Sequence, residues 1–222
     1  ERLTALAERL RGETGVQVDI LQADLTQDSD ITAVEQRLRE DAQIGILINN
    51  AGTSIPGDFL NQSSADITRL ITLNVTAVTR LANAIAPRLT RAGAGAIVNI
   101  ASVVGLGPEM GLTVYGATKA FVLFLSQGLD VELSAKGVYV QAVLPAATRT
   151  EIWQHSGKDV NAIPGVMEVE KLVDAALVGF DRRELVTIPP LQDETQWQTL
   201  NATRQAMLPA FVQSEPAARY LA

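Results

Sequence analysis

Short apolar runs alternate with longer segments of helical periodicity along most of this chain. The clearest runs are residues 44–48, 96–100 and 138–143, and each has the length of a strand that is buried on both faces. Between them, apolar residues recur every three or four positions, as on the inward face of an amphipathic helix. This alternation predicts an α/β fold, a Rossmann-like, doubly wound parallel sheet in a three-layer α/β/α domain.

Weaker patterns add two strands. Apolar residues alternate with polar ones over residues 16–20, which predicts a strand that ends at residues 23–25, and residues 185–188 form a further short run. The longest helical pattern lies between the first two clear runs, and Ser63 or Ser64 can cap its start. Five strands are therefore predicted.

The composition restricts the classes of function. The chain has 222 residues, 47% of them hydrophobic, and no repeat or linker divides it, so we expect one soluble domain over residues 1–222. A formal charge of −7 argues against nucleic acid or a membrane surface as a partner. With no cysteine and a single histidine, His155, neither a metal site nor a serine-histidine triad is expected. The lack of cysteine fits a cytoplasmic location.

One group of polar residues can support acid-base chemistry. Tyr115 and Lys119 are four positions apart in a helical pattern, so they share one face of the helix. A nearby ammonium favours the phenolate and is expected to lower the pKa of Tyr115 towards neutrality. Ser102 follows the apolar run 96–100, and its hydroxyl can meet the phenol over a shared substrate oxygen if the helix folds back on that strand.

The spacing of Tyr115 and Lys119 alone is weak evidence, because it occurs by chance on the exposed faces of many helices. Four further motifs accompany it in a characteristic order: Asp24-Leu25, Asn49-Asn50-Ala51-Gly52, Asn74, and the segment from Pro145 to Thr150. In order and approximate spacing, the whole set resembles the short-chain dehydrogenase/reductase family. The motifs cover residues 24–150.

This resemblance implies an NAD(P)-dependent oxidoreductase that uses NAD or NADP to interconvert a secondary alcohol and a ketone or aldehyde. The residue matching Tyr115 exchanges the proton, Ser102 holds the substrate oxygen, and Lys119 tunes the phenol and binds the ribose. Asn74 bends its helix and holds a water that links Lys119 to solvent. The catalytic residues implied are Asn74, Ser102, Tyr115 and Lys119. The cofactor-binding residues implied are Asp24, Leu25, Asn50, Ala51, Gly52, Tyr115, Lys119, Pro145, Thr148 and Thr150.

Several of these residues also have simpler interpretations. Asn74 can satisfy its amide on neighbouring backbone, Lys119 can be a solvated helix charge, and Asp24 can be a surface carboxylate. Ala146 stands where the family usually has a glycine, which questions the local conformation after Pro145. A catalytically silent homologue that acts as a binding or regulatory subunit is the alternative function.

Members of this family have seven strands, ordered 3-2-1-4-5-6-7, and the first two contribute the Gly-rich turn under the cofactor pyrophosphate. The sequence contains no Gly-x-x-x-Gly-x-Gly turn, so the run 16–20 corresponds to the third strand. We expect the first two strands to be missing from this chain and the natural protein to have roughly forty more N-terminal residues. The alternative is a five-stranded variant in which the 16–20 strand pairs with the 44–48 strand.

Residues 150–166 have an irregular pattern and are interpreted as a substrate lid. Met110, Ile152 and Trp153 can line an apolar pocket, although such residues also occur as plain core, and His155 is expected on the lid or the surface.

The helices that contain Leu70 and Phe121 have apolar faces wider than one sheet face needs. By resemblance, these helices form a four-helix subunit interface, so a homodimer or homotetramer is expected.

Overall fold

A computed structural model gives the structure of this protein and describes residues 1–151, 153 and 159–221. The chain forms two compact units, Glu1–Pro189 and Pro190–Ala222. That all residues belong to one domain stays a prediction.

Four parallel strands lie side by side in chain order in the first unit. They are Ile46–Asn49 (β1), Ala96–Ile100 (β2), Tyr139–Val143 (β3) and Val186–Thr187 (β4). The register places Asn49 beside Asn99 and Ile100 beside Val143, so the carboxyl ends of the first three strands lie at one edge of the sheet. The predicted Rossmann-like α/β fold is confirmed.

The α-helices of the described residues are Arg2–Thr14 (α1), Asp28–Glu40 (α2), Ser64–Ile71 (α3), Val78–Ala92 (α4), Thr113–Leu133 (α5), Val169–Asp181 (α6) and Glu194–Ala206 (α7). Ser63 caps α3, since its hydroxyl accepts from the Asp66 N–H at 3.1 Å. Gly93 ends α4 in the left-handed conformation. None of the helices in the described ranges has the length and apolarity needed to cross a membrane.

The long helix predicted between β1 and β2 is interrupted at Asn74. A π-helical segment, Thr72–Ala77, joins α3 to α4. A π-turn inserts one extra residue into the helix, and such turns are frequent at functional sites.

The strand predicted over residues 16–20 is wrong. Residues 15–24 contain no strand, and Val16 and Ile20 remain 53% and 41% exposed. A strand needs a hydrogen-bonded neighbour, and within the described residues β1 pairs only with β2. The five-stranded alternative, in which the 16–20 strand would pair with β1, is therefore wrong as well.

The first clear apolar run, residues 44–48, is only partly buried. Ile46 and Ile48 of β1 are 50% and 61% exposed, whereas Asn49 at its carboxyl end is buried. The apolar run alone predicted a strand covered on both faces, which is incorrect here because the described elements leave one face of β1 uncovered.

A buried polar network holds the carboxyl edge of the sheet. Asn49 Nδ2 donates to Asn99 Oδ1 at 2.9 Å, and Asn99 Nδ2 donates to Ser126 Oγ at 2.9 Å. All three residues are buried, and satisfied buried polar groups favour one arrangement of the elements that carry them. The network therefore fixes β1 and β2 relative to α5, which contains Tyr115 and Lys119.

A buried apolar cluster supports the same elements. It joins α2, α4, β2 and the end of α5 through side chains that include Ile31, Leu38, Leu81, Ile85, Leu89, Ile97 and Leu133.

The second unit consists of α7 and two short 3-10 turns, Leu208–Phe211 and Ala218–Tyr220. Asp193 caps α7, since its carboxylate accepts from the Thr195 N–H at 3.0 Å.

Candidate active site

Ser102 lies two residues after the end of β2 and joins the ends of two strands. Its hydroxyl donates to the Pro145 carbonyl oxygen at 3.2 Å and accepts from the Val104 N–H at 3.3 Å. The Val103 N–H donates to the same Pro145 carbonyl oxygen at 3.0 Å. Ser102 is thus buried where β2 and β3 end, the edge at which open parallel sheets bind ligands.

The loop after Ser102 packs closely against α5. A methyl group added at Gly105 would lie 2.6 Å from the Ala120 backbone nitrogen, so this approach requires a glycine. Tyr115, near the start of α5, is thereby brought close enough to Ser102 for the serine hydroxyl to influence the pKa of the phenol.

Lys119 is buried next to Tyr115 and is not a solvated helix charge. Its Nζ lies 5.7 Å from the centroid of the Tyr115 ring and donates to the Ile100 carbonyl oxygen at 2.8 Å. Burial lowers the pKa of Lys119 to about 8, because an ammonium loses hydration in a buried position.

Burial raises the pKa of Tyr115, and the neighbouring Ser102 hydroxyl opposes that rise, because it favours the phenolate. The expectation that Lys119 lowers the pKa of Tyr115 is therefore wrong for this structure. Desolvation of the phenolate is the largest cause, and the charged form of the neighbouring amine is itself disfavoured by burial.

Asn74 is 1% exposed and bonds to neighbouring backbone, as its simpler interpretation predicted. Its Nδ2 donates to the Thr53 carbonyl oxygen at 2.9 Å, and its Oδ1 accepts from the Thr53 N–H at 3.0 Å. The same Nδ2 donates to Thr118 Oγ1 at 3.1 Å. The π-turn thus connects the segment after β1 to α5.

The exposed segment Asn50-Ala51-Gly52 leads from β1 past these side chains. A methyl group added at Gly52 would lie 3.4 Å from Asn74 Oδ1 and 3.5 Å from Lys119 Nζ. Because Gly52 has no side chain, its backbone borders the space beside Lys119 without filling it. A flat ligand can approach such a surface closely.

Asp24 and Leu25 differ in their surroundings. The exposed Asp24 carboxylate accepts from the Thr26 N–H at 3.0 Å and the Thr26 hydroxyl at 2.7 Å, and these bonds hold the pKa of Asp24 below its ordinary value. Leu25 packs against the apolar cluster, so its side chain supports the core.

A cleft of about 710 Å³ opens beside Asp24. Its lining residues are Asp24, Thr26, Gln27, Ser64, Ala65, Thr68, Arg69 and Thr72. Ser102, Tyr115 and Lys119 do not line it, so this cleft is separate from the acid-base group.

The segment after β3 is held by a short backbone pairing. Thr148 forms a parallel bridge with Met167, and the Arg149 N–H donates to the Met167 carbonyl oxygen at 2.9 Å. Among the described residues, only Leu112 and Arg183 are non-glycine residues with positive φ, so Ala146 adopts its conformation without the freedom of a glycine. Thr150 is exposed.

The predicted lid falls partly outside the described residues, as do Ile152 and His155. Trp153 is partly buried, and its Nε1 donates to the Thr148 carbonyl oxygen at 2.6 Å. Met110 is 57% exposed. A lid over residues 150–166 stays a prediction.

Two residues of this site were missed by the sequence-based interpretation. Thr53 contributes only backbone atoms, which no side-chain pattern reveals. Thr118 lies inside the motif from Tyr115 to Lys119, three residues after the tyrosine. A threonine hydroxyl at this spacing can return to a helix carbonyl, which is the one available signal.

A serine, a partly buried phenol and a buried amine lie together at the carboxyl edge of a parallel sheet. This arrangement in a Rossmann-like fold can support acid-base chemistry. A family model described as short chain dehydrogenase matches residues 1–161. The chain belongs to the short-chain dehydrogenase family.

Two solved structures are similar over nearly the whole chain. A short-chain dehydrogenase from Sphingobium yanoikuyae in complex with NADPH is 64% identical with a TM-score of 0.98, covering 99% of this chain and 86% of that one. A bulky-bulky ketone specific alcohol dehydrogenase from Comamonas testosteroni is 57% identical with a TM-score of 0.92, covering 100% of this chain and 85% of that one.

Curated relatives match over a shorter range. The very-long-chain 3-oxoacyl-CoA reductase-B of Danio rerio is 34% identical over 68% of this chain and 50% of its own length. The 17-beta-hydroxysteroid dehydrogenase type 3 of Homo sapiens is 34% identical over 72% of this chain and 52% of its own length. The chain thus spans about half the length of the curated relatives it matches.

Proposed function

We propose that this protein is an NAD(P)-dependent oxidoreductase that interconverts a ketone or aldehyde and a secondary alcohol, with Tyr115 as the acid-base group. The observation that carries the proposal is the proximity of Ser102 and Tyr115 at the end of β2, with the Lys119 amine buried next to the phenol. Two hydroxyls in this arrangement can bind one carbonyl oxygen, and the phenol can exchange a proton with it.

The protonation state of Tyr115 supports the reductive direction. Because burial raises the pKa of Tyr115, the phenol keeps its proton at neutral pH. A protonated phenol is the form that donates to an oxygen on which negative charge develops, and Ser102 can stabilise the same charge by a hydrogen bond. Lys119, with a pKa of about 8, is mostly cationic at neutral pH and favours negative charge nearby.

The residues present fit a nicotinamide cofactor. Gly52 leaves bare backbone beside Lys119 and Asn74, and the exposed segment Asn50-Ala51-Gly52 can lie along the adenosine side. When bound, the nicotinamide supplies or accepts the hydride. Lys119 would bind the ribose hydroxyls, and Asp24 the adenine amino group. Thr148 and Thr150 would bind the carboxamide.

The relatives suggest the cofactor and the substrate class. The Sphingobium dehydrogenase was solved with NADPH at 64% identity, so NADP(H) is the proposed cofactor. The Comamonas enzyme, at 57% identity, is specific for bulky-bulky ketones, and a ketone with two large substituents is the proposed substrate. Exposed Met110 and partly buried Trp153 can contribute apolar surface to such a pocket.

The proposed assembly is a homodimer or homotetramer in the cytoplasm. Phe121 and Phe124 of α5 are 38% and 75% exposed, and apolar side chains of this size on one helix are typical of a subunit interface.

The proposal is tested by comparing the full-length protein with its Tyr115→Phe variant. NADPH binding is followed by nicotinamide fluorescence, and turnover is measured with a bulky ketone. Loss of the phenol proton should reduce turnover by about a hundredfold or more, with NADPH affinity nearly unchanged. Tyr220→Phe is the matched control, because Tyr220 is 70% exposed. Equal turnover in both variants would remove Tyr115 from the mechanism. NADPH binding without turnover in the wild type would favour the silent homologue.

A further inference from the structure

The Asn74 amide is held from two directions. On one side, its oxygen and nitrogen both bond to the Thr53 backbone, at 3.0 and 2.9 Å. On the other side, its nitrogen donates to Thr118 Oγ1 at 3.1 Å. Both protons of the Asn74 amide nitrogen are therefore used, one by each partner.

The Thr118 hydroxyl can act only as an acceptor for Asn74. Its single proton is donated to the Tyr115 carbonyl oxygen at 2.7 Å, which leaves only lone pairs for a neighbour. Thr118 is 3% exposed, so water does not compete freely for this hydroxyl. Thr118 therefore requires the nitrogen of Asn74, and not its oxygen, on the α5 side.

Together with the two bonds to Thr53, this requirement fixes which atom of Asn74 borders the space beside Lys119. A methyl group added at Gly52 would be in van der Waals contact with both Asn74 Oδ1, at 3.4 Å, and Lys119 Nζ, at 3.5 Å. Both atoms therefore border the same space. The amide therefore presents an acceptor, and not a donor, to the region in which the lysine amine must gain and lose protons. The opposite orientation would place two donors there.

We propose that Thr118 is a positioning residue that holds the Asn74 amide with its oxygen towards Lys119, and that it connects this orientation to the helical turn that carries Tyr115. One buried hydroxyl thus links the Asn74 side chain to the backbone turn that carries Tyr115. The inference rests on the proposed function only where it concerns turnover, because the orientation of Asn74 is a property of the free protein.

Thr118→Val and Thr118→Ser in the full-length protein form a matched pair. Valine has nearly the shape of threonine but no hydroxyl, whereas serine keeps the hydroxyl and loses only a methyl group. Asn74→Ala identifies the Asn74 side-chain signal by its disappearance. The first readout is hydrogen exchange of the Asn74 side-chain amide, followed by NMR without cofactor or substrate. The second is kcat and the KM for NADPH with a bulky ketone.

In the wild type, the Asn74 side-chain amide should exchange far more slowly than exposed amides. Thr118→Val should accelerate that exchange by about tenfold or more, because it removes one buried hydrogen bond. Thr118→Val should also lower kcat by about tenfold with little change in the KM for NADPH, and Thr118→Ser should restore both properties. If Thr118 had only a structural role, its replacement by valine would lower the melting temperature but would not lower kcat while leaving the KM for NADPH unchanged.

Rapid exchange of the Asn74 amide in the wild type would overturn the proposal even if Thr118→Val did not fold. Equal exchange in wild type and Thr118→Val would overturn it as well. If exchange responds as expected but the wild type shows no turnover, the positioning role of Thr118 stands and the proposed function fails.

Discussion

Lys119 Nζ lies 5.7 Å from the centroid of the Tyr115 ring and donates to the Ile100 carbonyl oxygen at 2.8 Å. The amine is thus anchored to the end of β2 while it faces the aromatic ring. Burial disfavours the charged form of both groups, which lowers the pKa of Lys119 and raises that of Tyr115. At neutral pH the pair therefore consists of a neutral phenol and an ammonium group. This ammonium loses its proton more easily than that of an ordinary lysine.

Lys119→Met should change how stability depends on pH. The pKa of Lys119 is about 8 in the folded protein, against 10.5 for an ordinary lysine. Between these values the unfolded chain binds one more proton, so the wild type gains stability as pH rises through this window. Relative to Lys119→Met, its free energy of unfolding should rise by roughly 3 kcal/mol from neutral pH to about pH 10.

Urea unfolding of both proteins across that pH range provides the measurement. Tyr115 is present in both, and because burial raises its pKa above the ordinary value of 10.0, its titration contributes little below about pH 10. A difference that stays flat with pH would show that Lys119 is not desolvated.

Ser102→Ala should raise the pKa of the Tyr115 phenol further. The Ser102 hydroxyl opposes the effect of burial on the pKa of Tyr115, because it can turn from the Pro145 carbonyl oxygen and donate to a phenolate oxygen. The measurement is a tyrosinate absorbance titration, with Tyr115→Phe subtracted to isolate this phenol. An unchanged or lower pKa would contradict the expectation.

Gly137→Ala should destabilise the fold strongly. Gly137 has a φ of 81°, and a methyl group there would lie 2.2 Å from the Gly93 carbonyl oxygen. Strain and collision should together cost roughly 3 kcal/mol. Gly128→Ala is the control, since Gly128 lies within α5 with no atom near the added methyl group, and it should stabilise by about 1 kcal/mol. Thermal unfolding of both variants measures the contrast, and similar melting temperatures would refute it.

Arg149→Met should loosen the segment around Asn161 without lowering global stability. The Arg149 guanidinium donates to Glu168 Oε1 and to Asn161 Oδ1, both at 2.9 Å. Because Arg149 and Glu168 are about half exposed, the global loss should stay below about 1 kcal/mol. Backbone hydrogen exchange near Asn161 should nevertheless accelerate.

Arg182→Met is the control for this experiment, since Arg182 only approaches Glu184 at 3.9 Å. Equal local exchange in the two variants would show that Arg149 does not hold the segment.

Local patterns determined much of this protein. The runs that became β2 and β3, the helix that carries Tyr115 and Lys119, and the position of Ser102 after a strand all follow from periodicity and spacing, because these depend on neighbours within a few residues. The order of the motifs was enough to predict the family and the fold, and both are confirmed.

The tertiary structure decided the rest. Residues 16–20 alternate as a strand does, but a strand exists only where another chain segment supplies hydrogen bonds, and none of the described segments does so. The direction of the pKa shift of Tyr115 depends on burial, which the spacing of Tyr115 and Lys119 does not contain. Likewise, only the folded chain brings Thr53 and Thr118 to Asn74, because contacts between residues far apart in sequence arise from packing and not from any local pattern.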